Sequence, residues 1–205
     1  MVAGPSEVVV VADAAADPAW IAADLLAQAE HDPMARAVLI TDAPALVPRV
    51  AAALAAQLDA LPRRAIAARA LESHGALVTV ATLEAAVDLA NRLAPEHLEL
   101  MVAVPEALLP HVRHAGAVFL GAHTPEVVGD YVAGPNHVLP TAGTARFASA
   151  LGAEDFITRT SIIDYSREGL ATALPHLRVL TRVEGLSGHG LAAEHRIEQR
   201  GGNGG

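Results

Sequence analysis

The stretch E-V-V-V-V-A, residues 7–12, decides the architecture. Four consecutive valines leave no polar alternate position, so both faces of this strand must be covered, as in the centre of a parallel sheet. Outward from it, Pro18 opens a helix over 19–30 with Trp20, Ala23, Leu26 and Ala27 at helical spacing. A second buried strand follows at 37–41, then a long alanine-rich helix over 44–61 that ends near Pro62. A further helix spans 63–73, stopped by His74-Gly75, and a third strand spans 76–80. Thr82 caps a helix over 83–93, Pro95 ends it, and strands at 98–102 and 117–120 flank a short helix over 105–114. This alternation predicts an α/β fold: a Rossmann-like parallel sheet with helices on both faces.

The pattern changes near residue 150. Residues 156–163 read as one more strand or an extended arm. Residues 167–198 read as two or three short amphipathic helices broken near Pro175 and 185–190. The expected organisation is a sheet domain over 1–150, a small helical tail over 151–200, and a disordered glycine-rich end over 201–205. The valine strand starts almost at once, with no capping element before it, so the sheet domain is expected to be incomplete and to begin part-way through a larger fold.

Composition narrows the chemistry. The net charge is −9 and the 14 basic residues are scattered, which argues against a nucleic-acid surface. All of them are arginine, so Schiff-base lysines and a P-loop lysine are excluded. Without cysteine there is no disulfide, thiolate zinc site or catalytic thiol. Any metal site must use His, Asp, Glu, Asn or Gln, which suits zinc or a neighbouring divalent ion. The apolar runs are too short to span a bilayer, and no signal-peptide pattern is visible, so a soluble cytoplasmic protein is expected.

Four places could carry chemistry, and ligands of open parallel sheets are expected at the carboxyl ends of the strands. Gln28 and His31, three apart at a helix end, share a face and could reach one ion, or form a solvated last turn. Glu96-His97 follows Pro95 and could be a general acid–base pair, or two polar loop residues. The glycine- and proline-punctuated segment 116–144 admits no regular helix or strand beyond its first residues. Its Val127, Val128, Tyr131, Val138 and Leu139 need burial, which marks an ordered site loop presenting Asp130, Asn136 and His137. Glu184 and His189 lie in the tail and are unremarkable alone. No dinucleotide glycine fingerprint, nucleophile elbow, zinc-protease or deaminase motif is present.

Taken together, six blocks resemble the histidinol dehydrogenase family. They are G-P-S-E-V (4–8), D-L-L-A-Q-A-E-H (24–31), N-R-L-A-P-E-H-L-E-L (91–100), A-G-A-V-F-L-G (115–121), G-D-Y-V-A-G-P-N-H-V-L-P-T (129–141) and E-G-L-S-G-H (184–189). The resemblance implies zinc- and NAD-dependent oxidation of L-histidinol to L-histidine through the aldehyde, the last step of histidine biosynthesis. It implies that Gln28, His31, Asp130 and His189 are zinc ligands, and that Glu96 and His97 are the acid–base pair. It implies that Ser6, His137 and Glu184 contact histidinol, and that a homodimer contributes His189 and Glu184 across its interface, which makes the helical tail a dimerisation element. It also implies that the chain matches the C-terminal half of the family, most nicotinamide contacts lying in the other half. Two alternatives follow. The chain is a segment from a truncated or split gene, inactive alone and working with a separately encoded N-terminal half, or it is a non-catalytic metal- or imidazole-binding module derived from the family.

Overall fold

The computed structural model describes residues 4–198. The chain divides into two compact units, residues 1–157 and 158–205. In the first unit, β1 (Glu7–Ala12), β2 (Arg36–Thr41), β3 (Ala76–Thr79), β4 (His97–Met101) and β5 (Ala117–Leu120) form one parallel sheet in the order β3-β2-β1-β4-β5. The helices are α1 (Pro18–Ala29), α2 (Leu46–Leu58), α3 (Arg64–His74), α4 (Leu83–Leu93), α5 (Pro105–Leu108) and α6 (Glu126–Tyr131).

The valine run is buried on both faces, as its composition requires. Val8 and Val10 pack with Leu39, Ile21, Leu25, Leu46 and Val50 under α1 and α2. Val9 and Val11 pack on the other face with Ile40, Leu98, Leu100, Ala86, Val87 and Ala90 under α4. A third cluster of Leu26, Ala29, Ala35, Ala67 and Ala70 seats α3 beside α1.

Asp17 caps α1 by accepting the Ala19 amide at 2.8 Å, and Thr82 caps α4 by accepting that of Ala85 at 3.2 Å. The segment 116–144 contains a helix that punctuation alone argued against. Between Pro125 and Gly134, α6 completes over one turn because its internal Gly129 faces the Phe119 ring.

Residues 157–166 carry no strand, so the extra strand expected over 156–163 does not form. The tail then forms α7 (Arg167–Glu184) and α8 (Ser187–Glu198). The expected break at Pro175 does not occur. A proline removes the single rung to the carbonyl four residues back, and the rest of this 18-residue helix closes around the gap. Gly185 does end α7, in the left-handed conformation at φ 71°, with the Leu186 amide turned back onto Thr181 O at 2.8 Å. Ion pairing of Arg178 with Glu194 ties α7 to α8. Residues 201–205, expected to be disordered, lie outside the described residues. Among the described residues no helix is long and apolar enough to cross a membrane.

Candidate functional site

The site grows from the start of β4. Ala94 closes α4 in the left-handed conformation at φ 51°, Pro95 prevents continuation, and the turn delivers Glu96 and His97 to the amino edge of the sheet. Register then sets direction. His97 pairs with Val8 and Glu99 with Val10, so both project to the α1 side of the sheet, while Leu98 and Leu100 join the core under α4. Strand β4 is apolar on one face and ionisable on the other.

The peptide of Glu7 braces both members of the Glu96-His97 pair. Its N–H donates to Glu96 Oε2 at 3.0 Å, and its carbonyl accepts from His97 Nδ1 at 3.1 Å. The proton therefore sits on Nδ1, and Nε2, buried and without a hydrogen-bond partner, keeps its lone pair 4.0 Å from Asp130 Oδ1. Burial lowers the His97 pKa to about 4, against the opposing charge of Asp130, so the ring is neutral at neutral pH. His31 and His137 stand near enough to act on the same ring electrostatically. Burial raises the Glu96 pKa to about 7, against hydrogen bonds from the Glu7 amide and the Ser6 side chain. Glu96 Oε2 and His97 Nδ1 are 3.8 Å apart, too far for a direct hydrogen bond.

Gln28, on the last turn of α1, is fully buried. An amide oxygen turned toward His97 Nδ1, 3.3 Å away, would oppose two other acceptors. With the amide nitrogen there instead, it donates to Glu7 O at 3.3 Å and to Glu126 Oε2 at 3.1 Å. Glu126 opens α6, 3% exposed, and burial followed by the charges of Glu99 and Asp130 raises its pKa to about 9. It is a neutral acid at neutral pH. Asp130 lies one turn further along the same face. Val127 and Tyr131 take the opposite face of α6 and are 43% and 82% exposed. The expectation that they are buried is therefore wrong, because the helical period that turns Glu126 and Asp130 inward turns these two outward.

A cavity of about 230 Å³ opens between these elements, lined by His97, Phe119, Asp130, Asn136, His137 and Leu139 among others. Asn136 also has a structural role, its Oδ1 accepting the Val138 amide at 2.7 Å. His31 is exposed just past α1, on a turn whose amide returns to Gln28 O. Glu184 ends α7 and His189 lies in α8, both exposed, in the second unit. Among the described residues no three His, Asp or Glu side chains converge to hold an ion by themselves.

The candidate residues of the first unit collect at the amino edge of the sheet, which overturns the carboxyl-end expectation. Helices α1 and α4 both run back to that edge, so residues at their exits arrive there. The crevice at the carboxyl ends, lined by Asp13, Met101 and Gly121 among others, holds none of the candidates. Sequence reasoning missed Glu7, Asp24, Glu99 and Glu126. The available signal was a carboxylate inside an apolar strand, L-E-L at 98–100, together with acids four residues before Gln28 and Asp130.

The histidinol dehydrogenase family model matches residues 1–197. A histidinol dehydrogenase of Rhodopseudomonas palustris is 56% identical over 200 residues, 98% of this chain and 46% of that protein. One of Pseudomonas syringae pv. tomato is 54% identical over 96% of this chain and 44% of that protein. The crystal structure of histidinol dehydrogenase from Elizabethkingia anophelis superposes with a TM-score of 0.83 at 36% identity, over 97% of this chain and 46% of that one. The chain thus spans about half the length of the curated relatives it matches. On this agreement of sequence and architecture, the chain belongs to the histidinol dehydrogenase family.

Proposed function

We propose that the cluster at the amino edge is a histidinol-oxidising centre. The observation that supports it best is the bracing of Glu96 and His97 by one peptide, which leaves the His97 Nε2 lone pair unpaired beside Asp130 and the cavity. His97 Nε2 takes the alcohol proton of L-histidinol as a hydride leaves the carbinol carbon, giving the aldehyde. With no cysteine to add to that aldehyde, water adds. Glu96, titrating near neutrality, takes a proton from the water while His97 returns its proton to the aldehyde oxygen, which gives the gem-diol and frees Nε2 again. His97 then takes a gem-diol proton as the second hydride leaves, and the product is the carboxylate of L-histidine. NAD, when bound, supplies the acceptor for each of the two hydrides.

The donor set fits zinc: one carboxylate, imidazole nitrogen and an amide oxygen. Gln28, His31 and Asp130 of one chain would hold it with His189 of a second copy. Zinc, when bound, would orient the imidazole and amine of the substrate. Ser6 and His137 would contact histidinol from the same chain and Glu184 from the second copy, within a cytoplasmic homodimer. The nicotinamide contacts, and with them turnover, are assigned to the part of the family's length that this chain does not span.

Metal analysis and calorimetry with L-histidinol on the purified chain test this reading. About one zinc per chain is expected, with histidinol binding lost in His189→Ala. Absence of zinc, or zinc without histidinol binding, refutes it. NAD reduction by the 205-residue chain alone would overturn the assignment of turnover to the part of the family's length that it does not span.

A further inference from the structure

A second tier of polar groups lies directly beneath the site, displaced by the repeat of each element. One turn back from Gln28 on α1 is Asp24. One pleat on from His97 along β4 is Glu99. One turn back from Asp130 on α6 is the backbone of Glu126. Two contacts join these groups. Glu99 is 2% exposed, and its Oε1 accepts the Glu126 amide at 2.9 Å. Its Oε2 is buried and meets no protein donor; the side chain hydrogen-bonded to Glu99 is that of Asp24. Two carboxyl acceptors can bond only through a proton, and with Glu99 buried and Asp24 half-buried the pair does not ionise twice. Burial raises both acids, and Glu99, the more deeply buried of the two, is the one that keeps the proton, with half-buried Asp24 accepting it.

We propose that Glu99 is a positioning residue, sharing one proton with Asp24 and holding the first amide of α6, so that α1, β4 and α6 keep Gln28, His97 and Asp130 in register. The inference rests on the reading that these three residues form the reactive centre. A neutral Glu99 presents its carbonyl oxygen to α6 and its O–H to α1, joining two helices that the sheet alone would not align. Since α6 is only six residues long, this tie supplies much of what orients Asp130.

The test uses the full 205-residue chain, with zinc titrated against a chromophoric chelator and amide hydrogen exchange followed over 126–131. Glu99→Leu removes both contacts. Its zinc dissociation constant is expected to rise roughly 10-fold or more, and the 126–131 amides to exchange faster. Glu99→Gln retains a carbonyl for Glu126 and an N–H for Asp24 and is expected to behave like the parent on both readouts. A Glu99→Gln variant as impaired as Glu99→Leu overturns the proposal, as does parental behaviour of Glu99→Leu. Should Glu99→Leu fail to fold, Asp24→Ala decides. Asp24 reaches α6 through Glu99, so faster exchange over 126–131 supports the tie and unchanged exchange overturns it. Absence of zinc from the unsubstituted chain refutes the metal reading alone, and the exchange measurements still decide the tie.

Discussion

Burial acts in opposite senses on His97 and Glu126, which face each other across 3.6 Å. It strips the ring of its proton and keeps one on the carboxyl, so the pair meets as two neutral groups. The consequences for stability differ in sign. Glu126 is raised from 4.5 to about 9, so the folded chain holds a proton that the unfolded chain has lost, and stability falls as pH rises between those values. His97 is lowered from 6.5 to about 4, so its unfavourable effect appears as pH falls through that window and is absent at neutral pH and above. Urea unfolding at about pH 7 and about pH 8.5 therefore isolates the acids. The parent should lose stability between the two conditions, and Glu126→Gln, neutral in both states, should lose less. Equal losses would show that Glu126 is ionised in the folded chain.

Helix α6 shows how a short element can depend on one missing side chain. A Cβ on Gly129 would lie 2.7 and 2.8 Å from two ring carbons of Phe119, a ring that also packs 5.9 Å from that of His97. Helix propensity favours Gly129→Ala by up to about 1 kcal/mol, whereas overpacking costs about 1–3 kcal/mol. Net destabilisation is the expected result in urea unfolding. In α7, a Cβ on Gly169 meets nothing closer than 3.5 Å, so there propensity acts unopposed and Gly169→Ala should stabilise by up to about 1 kcal/mol. A stabilised Gly129→Ala would mean that Phe119 can move without cost. Strand β4 makes the same point from the opposite direction. Its alternation reads as a half-buried strand, yet all five residues are buried, because α1 and α6 cover the ionisable face.

At the scale of the whole molecule, the first unit carries the reactive side chains, while Glu184 and His189 lie in the second. The proposed site is complete only if the second unit of another copy reaches it, so association and function should depend on the same segment. Sedimentation of the full chain against a chain ending after Ile157 tests this, with a dimer expected for the first and a monomer for the second. An unchanged dimer would place the interface in the sheet unit and remove the stated route by which His189 enters the site. Large apolar side chains exposed along the arm, Ile162 at 93% and Ile163 at 81% among them, are consistent with contacts made to another chain.

The sequence by itself determined the alternation of five strands and their helices, because a run of valines covered on both faces and helices opened by Pro18 and Thr82 are local instructions. It also determined the family, since six ordered motifs are long enough to be specific. It could not determine which edge of the sheet the motifs meet at, that Pro175 sits inside a helix, or that Gly129 turns a punctuated loop into one. The first and last depend on partners elsewhere in the chain, the return of α1 and α4 to the amino edge and the Phe119 ring, and the second on the continuity of a long helix around one lost rung. The acids Asp24, Glu99 and Glu126 were invisible for the same reason. A carboxylate in a sequence is solvated by default, and only the tertiary structure decided that these share a buried wall, because their burial comes from three elements that no local pattern relates.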